Sequence, residues 1–180
     1  RGQFSTPANV VFENLPLLYM PQAFTAGDID TDGDLDVWLA QYKFPYKAGQ
    51  MPTPYYDAND GFPAYLLVNQ GNGVFQERTI EAGLAVKRFR RTFSNSFVDL
   101  DKDNDLDLLV VNDFAGIDIY HNNGRGHFSL VTKSIIDEPA NFGMSHTFGD
   151  YDLDGLLDFY VIGMSSTTAR RLESLNLGRK

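Results

Sequence analysis

Three aspartate-rich segments recur along the chain, and they constrain its fold more than any other feature. They align without gaps and occupy residues 28–36 (DIDTDGDLD), 99–107 (DLDKDNDLD) and 150–158 (DYDLDGLLD). An apolar run follows each of them, namely Val37–Ala40, Leu108–Val111 and Phe159–Ile162. A repeat of this kind predicts that one structural unit is built several times in succession.

A second motif repeats in constant phase with the first. Asn69–Phe75 (NQGNGVF) matches Asn122–Phe128 (NNGRGHF), and Gly2–Phe4 resembles the end of a further copy. From the Phe of this motif to the next aspartate segment there are 24, 24 and 22 residues. We therefore predict one partial repeat domain over residues 1–180, with periods of approximately 4–74, 75–127 and 128–180. An insertion rich in Pro, Tyr and Phe, at approximately 43–62, lengthens the first period.

Each period is predicted to be β structure. The apolar runs are short and bounded by turn residues, which is typical of buried strands. Glycine-containing turns predict hairpins, with strands at Tyr65–Asn69, Val74–Arg78, Ile117–Asn122 and His127–Val131. One late helix is predicted over Ala169–Leu177, with Thr168 as N-cap and Gly178 as C-cap. Four short strands in about 50 residues are typical of a β-propeller blade or a related β-array, so the fold class is all-β.

The net charge of −9 is concentrated in the repeats. Of 24 acidic residues 19 are Asp, and 14 of these lie in the three segments together with Lys102, so the remainder of the chain has a balance of +4. Nucleic acid is an unfavourable partner, because a broad cationic face is missing from the sequence. No apolar run approaches the roughly 18 residues of a membrane span. The absence of Cys excludes disulfides and thiol catalysis.

The aspartate spacing predicts a cation site in each segment. At an effective dielectric of 20, two unit charges 5 Å apart repel by about 3 kcal/mol, so such a loop either stays fully solvated or holds a cation. Alternating positions 1, 3 and 5 turn inward as the chain curls. Position 6 is Gly33, Asn104 or Gly155, residue types that tolerate a left-handed backbone. Oxygen-only donors favour Ca²⁺ over Mg²⁺ and disfavour zinc and copper.

The same alignment assigns the individual metal ligands. Position 7 is Asp34, Asp105 or Leu156, and a Leu can ligate only through its carbonyl, so all three are assigned as backbone ligands. The predicted side-chain ligands, at positions 1, 3, 5 and 9, are Asp28, Asp30, Asp32, Asp36, Asp99, Asp101, Asp103, Asp107, Asp150, Asp152, Asp154 and Asp158. An EF-hand is excluded because its position 12 needs an acid, whereas this chain has Leu39, Val110 and Val161 there. The alternative is three solvated turns without metal.

At this point the residues resemble a known family. The pattern Asp-x-Asp-x-Asp-Gly-x-x-Asp before an apolar strand is similar to the calcium loops of FG-GAP/VCBS repeats, which occur in the β-propeller heads of integrin α chains. Phe148–Gly155 (FGDYDLDG) and Asn69–Leu84 (NQGNGVFQERTIEAGL) resemble signatures of the cartilage acidic protein 1-like (ASPIC/UnbV-associated) group. The resemblance covers the chain except the 43–62 insertion. It implies structural Ca²⁺ and an extracellular, cell-surface or periplasmic location. It also implies that three FG-GAP-type blades form part of a roughly seven-bladed propeller.

The resulting functional prediction is a scaffold with three Ca²⁺ ions for protein or glycan recognition or adhesion, and not an enzyme. Its further partners would be the remaining blades or other subunits. The alternative is a propeller domain or accessory subunit of a larger enzyme or complex whose chemistry lies elsewhere. Ser145 and His146 are neighbours, but this is a weak arrangement for nucleophilic catalysis. No phosphate-cradling glycine loop is present.

Four other features have expected places in the fold. The insertion is expected to be a flap over a sheet edge, or else a recognition loop. The basic run Lys87–Arg91 is expected to be an exposed loop that offsets nearby Asp, or else a site for an acidic partner. Trp38 is expected in the core. The three histidines, His121, His127 and His146, are expected to be surface or hydrogen-bonded structural residues.

Overall fold

A computed structural model describes residues 10–44, 52, 54 and 56–164 of the chain. The elements are β1 (Val11–Glu13), β2 (Pro21–Gly27), β3 (Asp36–Gln41), β4 (Tyr65–Asn69), β5 (Val74–Glu77), β6 (Arg91–Val98), β7 (Asp107–Asp113), β8 (Gly116–Asn122), β9 (Phe128–Leu130), the single-turn helix α1 (Thr132–Ile135), β10 (Gly143–Gly149) and β11 (Asp158–Gly163). The helix predicted at 169–177, the Gly2–Phe4 motif and much of the 43–62 insertion lie outside the described residues.

The strands form three sheets. In the first sheet the order is β1-β5-β4-β3-β2, in the second β6-β7-β8-β9, and the third contains β10 and β11. Within each sheet the neighbouring strands pair antiparallel, except that β1 pairs in parallel with β5. The all-β class is confirmed, and so are four-strand meanders in the first two repeats. Closure into a roughly seven-bladed propeller stays a prediction.

Each complete sheet is offset from the sequence periods by one strand. The first sheet ends with β5, which contains Phe75, and the second ends with β9, which contains Phe128. These Phe residues mark the starts of the second and third sequence periods. The Phe of the hairpin motif therefore lies in the last strand of one sheet, whereas the sequence periods place it at the start of the next repeat.

Two apolar clusters hold the sheets against one another. The first cluster lies between the first and second sheets and includes Trp38, which is buried as expected. In the second cluster, Leu109 and Val111 of β7 pack against residues of the third sheet such as Phe159. Every residue of β7 is buried, because alternate side chains of a strand point to opposite faces and both faces of this sheet are covered.

The basic run is used inside the fold, so the expectation of an exposed loop is wrong for two of its residues. The Arg90 side chain is 3% exposed, and its Nε donates to Asp118 Oδ2 at 3.1 Å. Its Nη1 donates to the Ala58 carbonyl at 2.7 Å. Arg91 donates from Nε and Nη2 to the Asp60 carboxylate at 2.9 and 2.8 Å. Residues 57–60, the end of the insertion, are thereby fastened to the second sheet.

His146 lies at the interface between the second and third sheets. Its Nδ1 is 3.0 Å from Ser94 Oγ and its Nε2 is 2.8 Å from Ser96 Oγ. Both serines belong to β6, so the imidazole joins two sheets. Ser145 and His146 are consecutive residues of β10, and consecutive side chains of a strand point to opposite faces. The expectation of a hydrogen-bonded structural histidine is confirmed.

The buried guanidinium of Arg90 gives a stability prediction. Arg90→Met leaves Asp118 buried without one of its cationic partners, and removal of one member of a buried ion pair typically costs about 3–5 kcal/mol. Lys43→Met is the matched control, because Lys43 pairs with Asp60 at the surface and such pairs are worth about 0–1 kcal/mol. Denaturant unfolding measures both variants. Similar small losses for the two would contradict the structural role of Arg90.

The burial of His146 gives a pH prediction. Burial lowers the pKa of His146, so the folded protein binds fewer protons than the unfolded chain, whose His pKa is about 6.5. Stability that is present above about pH 6.5 is therefore lost as the pH falls through the lowered folded value. Denaturant unfolding in EDTA should show a smaller loss of unfolding free energy on acidification for His146→Gln than for wild type. Substitution of the exposed His127 by Gln should reproduce the wild-type profile, and parallel profiles for wild type and His146→Gln would contradict this.

Candidate metal-binding loops

The three aspartate segments occupy the same place in each sheet, and we name them loop 1 (28–36), loop 2 (99–107) and loop 3 (150–158), each with positions 1 to 9. Each loop connects an edge strand to its antiparallel neighbour: loop 1 joins β2 to β3, loop 2 joins β6 to β7, and loop 3 joins β10 to β11. Strand pairing closes the base of each loop through the pairs Gly27–Asp36, Val98–Asp107 and Gly149–Asp158. The sequence repeat is thus a repeat in three dimensions.

The backbone of each loop enters the left-handed region twice. At position 6 the φ angles are 93° for Gly33, 70° for Asn104 and 85° for Gly155, as the residue types predict. Position 4 is left-handed as well, with φ of 61° for Thr31, 64° for Lys102 and 61° for Leu153. The sequence did not indicate this, because these residue types rarely adopt that conformation and each instance costs about 1–3 kcal/mol. The left-handed backbone at position 4 is therefore imposed by the folded loop and not by the residue type.

Backbone N–H groups orient the carboxylates at position 1. Oδ2 of Asp28, Asp99 and Asp150 accepts a hydrogen bond from the backbone N–H of position 6, at 3.0, 3.1 and 2.9 Å respectively. At position 5, Oδ1 of the Asp likewise accepts from the N–H of position 7, at 2.9, 2.9 and 2.7 Å in loops 1, 2 and 3. The same bonds in three loops hold the carboxylates in a common arrangement.

The carboxylates converge in every loop. Asp28, Asp30 and Asp32 each place one oxygen within 4.8 Å of the others, and positions 1, 3 and 5 of loop 2 do the same. In loop 3 the converging set is positions 1, 3 and 9, so Asp154 stands outside it. Oδ1 of Asp30 and Oδ1 of Asp150 are buried and have no hydrogen-bond partner among the described residues. Oxygen donors with unused acceptor capacity fit a hard dication.

The carboxylates at position 7 lie against the hairpins. Oδ2 of Asp34 is 3.5 Å from the point that a Cβ on Gly71 would occupy, and a Cβ on Gly124 would clash with the Asp105 carboxylate. Both hairpin glycines have positive φ, which favours glycine in the turn, and at Gly124 the close approach of Asp105 also requires the absence of a Cβ. The assignment of position 7 as a backbone ligand stays a prediction.

Position 9 ties each loop to the rest of its sheet. Asp36 is fully buried, and it accepts hydrogen bonds from the N–H groups of Ile29 at 3.2 Å and Asn69 at 2.8 Å. Asp107 repeats this with Leu100 and Asn122, at 3.1 and 2.9 Å. Burial raises the pKa of Asp36 to about 6, although the two N–H donors act to lower it. These side chains anchor the hairpin to the loop, and their role as metal ligands stays a prediction.

Asn122 extends this anchoring to the neighbouring sheet. Its backbone N–H bonds to Asp107 of loop 2, and its side-chain Nδ2 donates to the Ile29 carbonyl of loop 1 at 2.8 Å. Gly126 N–H donates to the same carbonyl at 3.1 Å. The last hairpin of the second sheet thus contacts two loops at once.

Sequence reasoning missed one residue of this region, His121. It lies in β8, and its Nε2 is 2.7 Å from Asp101 Oδ2 and 3.3 Å from Asp103 Oδ2. Burial acts to lower the pKa of His121, but Asp107 and Asp101 outweigh it, so the pKa is raised. The signal that could have found this residue is its place next to Asn122 in the repeated hairpin motif, where the first sheet has Val68.

Comparison with known proteins supports the repeat assignment. Residues 99–161 match the family described as FG-GAP-like repeat. The matched segment begins with loop 2, includes loop 3 and extends into β11, so this part of the chain is similar to an FG-GAP-like repeat. No curated protein matches the chain. Among the described residues, no helix is both long and apolar enough to cross a membrane.

The loop aspartates are expected to have two roles, anchoring of the hairpin at position 9 and metal binding at position 5. Substitutions measured in the absence of metal can separate these roles. In EDTA, Asp36→Ala should destabilise the protein by at least about 2 kcal/mol, because each of two orphaned buried N–H groups costs about 1–3 kcal/mol. Asp32→Ala should change stability by no more than about 0.5 kcal/mol, because its carboxylate is exposed. Denaturant unfolding in EDTA measures both. Equal effects would contradict the distinct anchoring role of position 9.

Proposed function

We propose that the chain is a calcium-stabilised, β-propeller-type scaffold, with one Ca²⁺ in each loop, that serves protein or glycan recognition outside the cytoplasm. One observation carries this proposal: in all three sheets, three carboxylates converge at the loop that joins an edge strand to its antiparallel neighbour. The FG-GAP-like repeat at residues 99–161 supports the scaffold class. The finer resemblance to the cartilage acidic protein 1-like group belongs to this proposal.

The electrostatics of the loops favour a bound dication. Loops 1 and 2 contain five Asp each and loop 3 contains four, and their mutual repulsion opposes the tight curl. A dication at the point of convergence replaces this repulsion with attraction. Three Ca²⁺ ions would change the formal charge from −9 to −3. Ca²⁺ suits the donor set because it accepts six to eight oxygen ligands in a flexible geometry.

In this proposal the ion has a structural role. The side chains at positions 1, 3, 5 and 9 and the carbonyl at position 7 would hold it, and each loop joins an edge strand to its antiparallel neighbour. Fixing the loop also fixes the hairpin in the first two sheets, because Asp36 and Asp107 bond to both. Extracellular modules bind Ca²⁺ with a Kd on the order of 10⁻⁴–10⁻³ M. Sites of such affinity would be filled in a compartment with about millimolar calcium, so the proposal places the protein at an extracellular, cell-surface or periplasmic location.

We propose a binding role rather than catalysis for this part of the protein. His146, the strongest candidate base from the sequence, lies between Ser94 and Ser96 at a sheet interface and joins two sheets. A carboxylate that ligates Ca²⁺ is also a poor general base, because the metal stabilises its charged form.

Thermal unfolding in 2 mM Ca²⁺, 2 mM Mg²⁺ and EDTA tests the calcium sites. Linkage predicts about 1.4 kcal/mol of stabilisation per site at ten times Kd, with Ca²⁺ more effective than Mg²⁺. Asp32→Ala, Asp103→Ala and Asp154→Ala should each remove part of the increase. The control is Asp137→Ala, an exposed acid outside the loops, which should keep the full increase. Identical unfolding in all three solutions would overturn the calcium proposal.

The recognition role is tested separately. Wild-type protein in 2 mM Ca²⁺ is applied to glycan and extracellular-protein arrays, and the same arrays are repeated in EDTA and with Asp32→Ala. Binding that depends on Ca²⁺ and weakens in the variant supports the scaffold proposal. Arrays that stay blank at every calcium concentration would count against it.

A further inference from the structure

Loop 2 differs from the other loops in having a nitrogen donor within reach. Asp101, Asp107 and His121 each place one ligand atom within 4.8 Å of the others. Asp101 belongs to the loop, Asp107 begins β7 and His121 comes from the neighbouring strand β8. Three separate parts of the sheet thus bring two carboxylates and an imidazole to one point.

The repeat provides an internal comparison for this cluster. His121 stands immediately before Asn122, and the matching residue before Asn69 is Val68. Strands β4 and β8 have the same place in their sheets, because β4 is third from the edge strand β2 and β8 is third from the edge strand β6. Loop 1 therefore faces an apolar side chain at the position where loop 2 faces an imidazole. Two loops with nearly the same aspartate spacing thus present different donor sets.

We propose that loop 2 is a mixed nitrogen–oxygen site that binds a first-row transition-metal dication through Asp101, Asp107 and His121, more tightly than it binds Ca²⁺. Imidazole favours zinc, copper, iron and nickel, whereas carboxylates alone suit calcium, magnesium and manganese. A neutral His121 adds one such nitrogen to the carboxylates. This inference goes beyond the calcium proposal, which treats the three loops alike.

The five Asp of loop 2 favour a dication at this point. A dication there would contribute two positive charges and form a coordinate bond to the imidazole nitrogen. The contacts of 2.7 and 3.3 Å from Nε2 to Asp101 and Asp103 show which ring nitrogen faces the carboxylates.

The cluster is both anchored and accessible. The Asp107 side chain is 3% exposed, and its two oxygens accept from Leu100 and Asn122, so its position is fixed before a metal arrives. Asp101 and His121 are about half exposed. All three line one wall of a cleft of about 290 Å³, whose other residues include Ile119 and Val131. A metal can enter from solvent, and water can complete its coordination.

The test titrates the metal-free full chain with Zn²⁺ by calorimetry, first alone and then in 2 mM Ca²⁺, and with Co²⁺ by visible absorption. Wild type should bind one Zn²⁺ at least tenfold more tightly than any other, also in excess Ca²⁺. His121→Val, which installs the residue of the first sheet, should weaken this site at least tenfold. Val68→His, the reciprocal change, should create a second tight site at loop 1. His127→Val, which removes an exposed imidazole, should behave as wild type.

Ring ¹⁵N NMR of His121 reports ligation directly, and Zn²⁺ should shift its Nε2 resonance. An unchanged resonance, or equal Zn²⁺ affinity for wild type and His121→Val, would overturn the proposal. Folding of each variant is checked by its unfolding transition in EDTA. The calcium proposal fails separately, if Ca²⁺ leaves thermal unfolding unchanged, and the tight Zn²⁺ site would then still be expected.

Discussion

Repulsion between carboxylates within three short turns is the constraint on which the structure depends. Each turn joins an edge strand to its antiparallel neighbour. These two strands cannot pair without bringing four or five Asp together. Part of the cost is offset by backbone N–H donors, which turn the position 1 and position 5 carboxylates inward. At position 9, Asp36 and Asp107 are buried and accept hydrogen bonds from both the loop and the hairpin. The candidate site and the sheet are therefore one structure.

Charge serves two different purposes in this chain. The cations Arg90 and Lys87 pair with the carboxylates of Asp118 and Asp57, so this cluster is balanced by groups that the chain itself supplies. In the loops, acidic groups outnumber the nearby basic ones, and buried oxygens of Asp30 and Asp150 have no partner among the described residues. The ion-pair cluster around Arg90 fastens the end of the insertion to the second sheet. In the loops, the proposed cation would supply the positive charge that the chain does not provide.

Much of the fold could be predicted from local sequence, because strand alternation, glycine turns and the aspartate period act within a few residues. Tyr65–Asn69 is a strand with the predicted bounds, and Gly33 has the left-handed backbone that its type indicates. The failures involve partners distant in sequence. The burial of Arg90 depends on Asp118, 28 residues away, and His121 reaches loop 2 only because β8 lies beside β7. Thr31 adopts a conformation that its own preferences oppose, so only the folded loop determines it.

Asn122 couples two sites that the sequence presents as independent. One end of this buried residue is held by loop 2 and the other by the Ile29 carbonyl of loop 1. If an ion rigidifies loop 1, Asn122 is already ordered when an ion arrives at loop 2, and less conformational entropy remains to be lost there. Thermodynamic linkage requires the same coupling free energy in the reverse direction. Under the calcium proposal, neighbouring repeats would then fill cooperatively, and the array would respond to cation concentration more steeply than separate loops.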